Sequence, residues 1–323
     1  MASRGCFSFG LLAALCLLTM TIGIANTQAR PRIGALICDC ENRHKVNMTA
    51  FEKSQGILAP DVLIRESAAD LDDDELFQEV VDFVNWLQNE AYLIPSEIGA
   101  LAREIYLTDQ YIAQVNNGGH PQYVHNVLVF NRTRGTMDST LDIVEATLAR
   151  IAPSEYLSIF RDFRALLKAH EEITARQYDY APDMPYFKEL DALNKRFYAL
   201  DDKARDLALG QLLRTSPSFR ILSDDEFEAE TAKIIASNKL LEERRKELQA
   251  ARDKDPMYFA PRKLCEIVGL EFQFITIGER TSRPDEMYWG IVTSDGPRQM
   301  LIGPNFAELY DHTRKKRLAR IDF

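Results

Sequence analysis

The stretch YLTDQYIAQVNNGGHPQYVHN, residues 106–126, decides how the helices of this chain are arranged. Apolar residues at helical spacing lead into it from a start signal at Pro95: Ile98, Leu101, Ile105 and Ile112. Gly118 and Gly119 can adopt left-handed conformations that other residues avoid, so we expect the helix to end there. Pro121 suits the first turn of the helix that follows. The sequence thus predicts two consecutive helices joined at the glycines.

Helical signals continue on both sides of this stretch. Asp72, with Glu75 three residues later, has the pattern of a capping box, and an apolar stripe follows it: Leu76, Val80, Val84 and Leu87. Apolar stripes and start signals predict four more helices downstream: 138–151, 153–177, 186–198 and 201–213. We therefore expect an acidic multi-helix domain over about residues 70–215, after a loosely structured lead-in over residues 30–69.

The C-terminal third changes character twice. From Ser223 to Asp255 the sequence is heavily charged, and it predicts a single long helix because four apolar residues recur every seventh position: Phe227, Ile234, Leu241 and Leu248. After Pro256 the hydrophobic period becomes that of strands, over residues 270–277, 287–293 and 298–302. The fold class is therefore mainly α, with a long charged helix over residues 223–255 and a small, β-rich α+β module over 256–323.

Residues 1–29 have the pattern of a secretory signal peptide. Arg4 supplies a small positive region, and the next 20 or so residues are uncharged and strongly apolar. Small side chains then favour cleavage after Ala29. An uncleaved anchor is the alternative, but Arg30 and Arg32 would place positive charge on the wrong side of the membrane. We therefore expect a periplasmic or secreted protein with no further membrane span.

The charge balance argues against a nucleic-acid binder. The formal net charge is −10, and removal of residues 1–29 with Arg4 makes it −11. Binding to phosphate backbones requires a basic surface, and the compact basic cluster lies at the C-terminal tail: Arg314, Lys315, Lys316, Arg317 and Arg320. This tail is interpreted as a solvated terminal helix. We expect no nucleic-acid partner and no cofactor.

Negative charge is concentrated in residues 61–109, which hold thirteen acids against only Arg65 and Arg103. Glu75, Glu79 and Asp82 fall on one face of the predicted helix, opposite its apolar stripe. Such a face could bind a basic protein. The simpler explanation is solvation together with favourable negative charge at a helix N-terminus.

Three cysteines follow the predicted cleavage site: Cys38, Cys40 and Cys265. Cys38 and Cys40 are too close in sequence to pair without strain, so a long-range link from one of them to Cys265 is favoured in an oxidising compartment. Cys40 and Cys265 are the candidate pair. Metal binding by Cys38 and Cys40 is the less favoured alternative, because only His44 lies nearby. We therefore predict no metal site.

The stretch quoted at the start resembles the bacterial DNA-mimic protein family, a group of acidic helical domains. The core signature of that family is matched by five residues: Asn117, Gly118, Gly119, Gln122 and Asn126. Residues 190–198, LDALNKRFY, also resemble the later part of that domain. The resemblance covers about residues 70–215. His120 and Pro121 depart from the pattern, since an aromatic residue is expected there.

The signature residues have a structural and a functional interpretation. Glycine and asparagine at 117–119 suit a turn between helices, which favours a structural role. The functional alternative treats His120, Gln122, His125 and Asn126 as a polar cluster, in an envelope hydrolase that uses nearby carboxylates. No metal-ligand spacing of histidines, nucleophile elbow or phosphate loop is present in the sequence. We therefore expect a non-enzymatic binding module with an acidic face, of inhibitor or immunity type.

Overall fold

The computed structural model describes residues 49–68, 70–151, 154–176, 181–283 and 285–323. The chain is mainly helical and divides into two compact units, with the boundary between Lys263 and Leu264. The predicted signal at residues 1–29 and the lead-in up to residue 48 lie outside the described residues.

The first unit consists of helices and two short strands. Its helices are α1 Thr49–Glu52, α2 Asp73–Asn89, α3 Ala100–Tyr123, α4 Val129–Thr133, α5 Met137–Arg150, α6 Ser154–Ala169, α7 Phe187–Phe197, α8 Asp202–Arg214, α9 Asp224–Ser237 and α10 Leu241–Lys254. α11 Pro256–Ile267 leads into the second unit. A π-helical turn, Val124–Leu128, connects α3 to α4.

One hydrophobic core occupies the centre of this unit. The apolar stripe predicted on α2 is buried in it, together with aromatic residues of the following helices, including Tyr111, Tyr123, Phe160 and Phe163. α2 begins as predicted, because the Asp72 carboxylate accepts a hydrogen bond from the backbone N–H of Glu75 at 3.0 Å. Packing of these amphipathic faces, rather than local helix propensity, holds the helices together.

Two four-residue strands pair in parallel beside the helices. β1 Val62–Arg65 aligns with β2 Phe219–Leu222, with Val62 opposite Phe219. The sequence did not predict this pair, since each strand is short and its partner is far away in the chain. It corrects the expectation of a loose lead-in over residues 49–69, because Val62, Leu63 and Ile64 are fully packed in the core.

The long helix predicted over residues 223–255 is two helices. α9 ends at Ser237 and α10 begins at Leu241, with Asn238 between them in an extended conformation. The buried side chain of Asn238 donates to the carbonyl of Ala91 and accepts from the N–H of Leu240, at 2.7 and 3.0 Å. These side-chain hydrogen bonds replace the backbone hydrogen bonds of a continuous helix. Asn238 therefore ends α9 through its side-chain hydrogen bonds, which compete with those of a continuous helix.

The second unit, Leu264–Phe323, contains an antiparallel sheet in which strands adjacent in sequence are adjacent in space. Its strands are β3 Phe272–Arg280, β4 Met287–Thr293, β5 Gly296–Ile302, β6 Phe306–Tyr310 and β7 Arg317–Asp322. The predicted terminal helix at the basic tail is wrong, because β7 occupies it. Ala319 and Ile321 are buried while Arg320 and Asp322 are exposed, which is strand alternation.

Candidate functional site

The glycines of the signature separate two helical segments within α3, as the sequence predicted. Gly118 and Gly119 leave the helical conformation, with φ of −163° and +77°, and helical structure resumes immediately afterwards. Gly119 combines its positive φ with a ψ of −177°, a conformation almost restricted to glycine. A Cβ atom there would also lie 2.2 Å from the side-chain nitrogen of Asn194. The expected helix end is therefore present, and it forms a kink that α7 approaches closely.

His120 is fixed at this kink by the side chain of Asn194. The Asn194 Oδ1 atom accepts hydrogen bonds from the backbone N–H and from the ring Nδ1 of His120, both at 2.7 Å. The other ring nitrogen, Nε2, lies 3.1 Å from the hydroxyl of Tyr111. Since Oδ1 can only accept, Nδ1 carries the proton and Nε2 accepts from Tyr111. The imidazole is thus neutral and fully engaged.

A tyrosine hydroxyl is inserted into the interrupted helix. Tyr198 donates to the carbonyl of Val115 at 2.7 Å, and the N–H of Gly119 donates to the same hydroxyl. In a regular helix the carbonyl of residue 115 and the N–H of residue 119 would bond each other directly. Asn194 and Tyr198 both come from the LDALNKRFY stretch. The two stretches that carry the family resemblance therefore meet at the kink.

The remaining signature residues form a small amide cluster. The side-chain amides of Gln122 and Asn126 both donate to the side-chain carbonyl of Gln114, at 3.2 and 2.6 Å. Asn117 is exposed. These contacts are between amides on successive turns of the kinked helix.

The hydrolase alternative gains no support from this geometry. Burial lowers the pKa of His120 to about 4, so at neutral pH its imidazole has no proton to give from Nε2. The contacts of His120, Gln122 and Asn126 described above are to amides, a hydroxyl and aromatic rings, not to carboxylates. The hydrolase reading stays a hypothesis without a supporting observation.

The predicted acidic face lies on the outer side of α2. Glu75 and Asp82 are exposed and Glu79 is half-buried between them. Within the part of the chain that the structure describes, no lysine or arginine forms an ion pair with any of the three, and Asp82 accepts only from Gln78, at 3.1 Å. Partial burial and the neighbouring Asp82 raise the pKa of Glu79. Arg65 acts on the pKa of Glu79 in the opposite direction, but more weakly, so the three carboxylates lack an ion pair although a basic side chain is near.

Most of the other acids in residues 61–109 that take part in ion pairs do so with arginines far away in sequence. Asp61 pairs with Arg220 at 3.5 Å, Asp73 with Arg214 at 3.3 Å, and Glu104 with Arg150. The sequence count of thirteen acids against two arginines missed these partners, because tertiary folding brings them in. Glu75, Glu79 and Asp82 differ from these three acids in having no ion pair within the described residues.

The acidic surface extends from α2 to α9. Arg65 of β1 binds Asp224 at 3.0 Å and also contacts Glu228, both on the first turns of α9. The rings of Phe83 and Phe227 meet edge to face at 6.5 Å and hold the two helices together beneath it. Arg65 thus fixes two α9 acids in place, and its own positive charge is used by them.

A second polar centre, missed by sequence reasoning, is completely buried. The guanidinium of Arg244 on α10 bonds both carboxylate oxygens of Glu97, at 2.6 and 2.8 Å, and the carbonyls of Ala50, Lys53 and Tyr92. Glu97 also accepts from the backbone N–H groups of Gln55 and Ile94. The Arg244 hydrogen bonds hold the pKa of Glu97 below its ordinary value. This centre ties α1, the turn before α3 and α10 together.

Cys265 is fully buried with a free thiol, and burial raises its pKa, while Cys40 lies outside the described residues, so the pairing stays a prediction. Across residues 49–323, apart from the gaps given above, no group of three or more acidic, histidine or cysteine side chains is placed to hold a metal ion. In the same residues, no helix is long and apolar enough to span a bilayer.

The comparisons with known proteins give one match. No curated protein and no solved structure matches the chain. Residues 96–216 match the family described as DMP19-like protein, a DNA mimic protein family. The match begins later than the resemblance expected from about residue 70, and it includes the kink, Asn194 and Tyr198 but not the acidic face on α2. Residues 96–216 are therefore a DMP19-like segment within a longer helical unit.

Proposed function

We propose that the protein binds a basic protein surface through the acidic face of α2. The observation that carries the proposal is that no lysine or arginine among the described residues forms an ion pair with Glu75, Glu79 or Asp82. Arg65, whose charge acts on Glu79, is itself paired with Asp224 and Glu228. Carboxylates one helical turn apart place negative charges about 5 Å from one another. This spacing suits several lysine and arginine side chains of a partner better than one bound ion.

The raised pKa of Glu79 favours a positively charged partner over a face that is only solvated. Asp82 and partial burial both make it harder for Glu79 to ionise, and an approaching cation would relieve that cost. The gain would be larger than for an isolated surface ion pair, because the face is already partly desolvated. Asp224 and Glu228, held by Arg65, flank it and would extend the contact.

The family match does not include the acidic face, but the description of the family as DNA mimics suggests the class of partner. A protein that imitates the charge of DNA acts by occupying a basic surface, so its partner would be a protein that carries such a surface. We place the proposed activity outside the cytoplasm, as an inhibitor or immunity-type factor, because of the export pattern in residues 1–29. That compartment would exclude the DNA-bound partners that the family description suggests.

The binding test compares two triple variants of the full chain. Partners are captured from a low-salt envelope fraction and identified, and their affinity is then measured at increasing salt. The change of Glu75, Glu79 and Asp82 to Lys should weaken binding at least about tenfold, or 1.4 kcal/mol. The control changes Asp138, Glu155 and Asp253 to Lys, which are exposed on three other helices and alter net charge equally. Equal loss in both variants, or salt-insensitive binding, would refute the acidic-face proposal.

The compartment is tested separately. Cell fractionation should place the protein in the periplasm or medium, and N-terminal sequencing should read from Arg30. A cytoplasmic protein that begins at Met1 would overturn the proposed location while leaving the binding proposal open to its own test.

A further inference from the structure

The kink in α3 is held by one face of α7. Asn194 and Tyr198 are four residues apart, so they lie one turn apart on the same face, and each bonds the interrupted backbone. Asn194 holds the N–H of His120, and Tyr198 holds the carbonyl of Val115 and the N–H of Gly119. The position of α7 therefore depends on a contact that includes an ionisable ring.

The surroundings of that ring contain nothing to balance a positive charge. From α3 the titratable neighbour is Tyr111, from α6 the neighbour is Phe163, and from α7 the neighbours are Asn194 and Phe197. Among the described residues no carboxylate contacts the ring, and His120 is fully buried. The hydroxyl of Tyr111 is itself buried and uses its proton on Nε2.

Protonation of Nε2 would place two donors face to face. The Tyr111 hydroxyl would have to turn its proton away from the ring, where burial makes an unpaired proton costly. The imidazolium would also be a buried charge without a counter-ion. Both costs vanish if the ring reaches water, and movement of α7 away from the kink would expose the ring by removing Asn194 and Phe197.

We propose that the contact between α7 and the α3 kink is an acid-sensitive latch, which opens when His120 takes up a proton and does so before the rest of the helical unit loosens. Local opening of this kind is a conformational switch with a histidine as its trigger. The device uses only residues of the DMP19-like segment, and it is independent of the acidic face.

The two buried polar centres should respond to acid in different ranges. An unfolded histidine titrates near pH 6.5, and the folded value of His120 is about 4, so its stabilising effect is complete above pH 6.5 and falls as the pH drops toward 4. Glu97 also has a lowered pKa, but from an ordinary value of 4.5, so its contribution is lost only below that pH. Between pH 6.5 and 4.5 only the latch should weaken.

Amide hydrogen exchange on the full chain tests this order. After correction for intrinsic exchange rates, protection of the Gly119 and His120 amides should fall by up to about 100-fold between pH 6.5 and 4.5, a span of two pH units. The amides of Gln55 and Ile94, which bond Glu97, should keep their protection. Simultaneous loss at both centres, or no loss at the kink, would overturn the proposal.

Two variants show whether protonation of His120, and not a general effect of acid on the protein, opens the contact between α7 and the kink. His120→Asn keeps an N–H donor for Asn194 but cannot take up a proton, so protection at the kink should no longer depend on pH. Asn194→Asp supplies a counter-ion for the imidazolium, so the kink should stay closed in acid. If either folded variant opened with the same pH dependence as the parent chain, His120 would not be the trigger. If His120→Asn fails to fold, the Asn194→Asp comparison still decides.

Discussion

The guanidinium of Arg244 and the carboxylate of Glu97 form a two-pronged ion pair in which neither side chain is exposed to solvent. All five N–H donors of Arg244 have an acceptor, three of which are backbone carbonyls. Because Glu97 would be left buried and charged without its partner, Arg244→Met should lower the free energy of unfolding by about 3–5 kcal/mol. Urea denaturation at pH 7 measures it.

The neighbouring residue provides the control for that change. Arg245 is half-exposed and pairs with Glu242 on the surface, so Arg245→Met should cost less than about 1 kcal/mol. Similar losses for the two variants would show that the buried pair contributes no more than a surface one.

The DMP19-like segment should not fold by itself. Residues 96–216 contain Glu97 but not Arg244. They also leave out α2 and α9, which contribute buried side chains to the core. Expressed alone, residues 96–216 should show low helicity and no cooperative thermal transition by circular dichroism. Residues 49–263 should be strongly helical and should unfold cooperatively. A cooperative transition in the short fragment would mean that the flanking elements are dispensable.

Gly119 should tolerate alanine far less well than Gly135. Both have positive φ, +77° and +70°, but a Cβ at Gly119 would collide with Asn194 while a Cβ at Gly135 meets nothing within 4 Å. Gly135→Ala therefore measures the cost of a positive φ without a collision, about 1–2 kcal/mol. Gly119→Ala adds the displacement of Asn194 and should cost at least about 2 kcal/mol more. Equal costs in thermal or urea unfolding would contradict the close approach of α7.

Removal of the charge of Glu79 should stabilise the protein in a pH-dependent manner. Its folded pKa is raised, so the folded state binds a proton more readily than the unfolded state, and ionisation of Glu79 lowers stability as the pH rises above 4.5. Glu79→Gln should therefore raise the free energy of unfolding at pH 7, with a gain that shrinks toward pH 4. The exposed neighbour Glu75, changed to Gln, is the comparison. A gain that is constant with pH would exclude this cause.

Local sequence patterns predicted α2, α3, α5, α6, α7 and α8, the strands β3, β4 and β5 and the cap at Asp72, because these features depend on neighbours within a few residues. They also located the glycines of the kink. Gly118 and Gly119 end one helical segment and a second begins immediately after them, as expected. The support for this break was not predicted, because Asn194 and Tyr198 lie 74 and 83 residues away from the backbone groups that they bond.

The features that were missed all involve distant partners. In the sequence, Arg244 is one of many charged residues in the predicted long helix. Its buried acceptors belong to residues 50, 53, 92 and 97, which the local pattern does not reveal. The pairing of β1 with β2 and the break at Asn238 have the same origin. The acidic face could be placed on α2 from helical spacing alone, but which acids stay unpaired depends on arginines that only the folded chain brings near.

The attachment of α1 to α10, which Arg244 makes through the carbonyls of Ala50 and Lys53, affects the order in which the chain acquires its structure. The Glu247 carboxylate accepts from the backbone N–H of Ala50 and the hydroxyl of Thr49, both at 3.0 Å and across nearly 200 residues. A ribosome delivers the N-terminal end first, so α1 has nothing to dock against until α10 has emerged. Contacts of such long sequence separation also form slowly. This end of the unit therefore stays open throughout most of synthesis, and its closure is a late event that follows translation of Glu247.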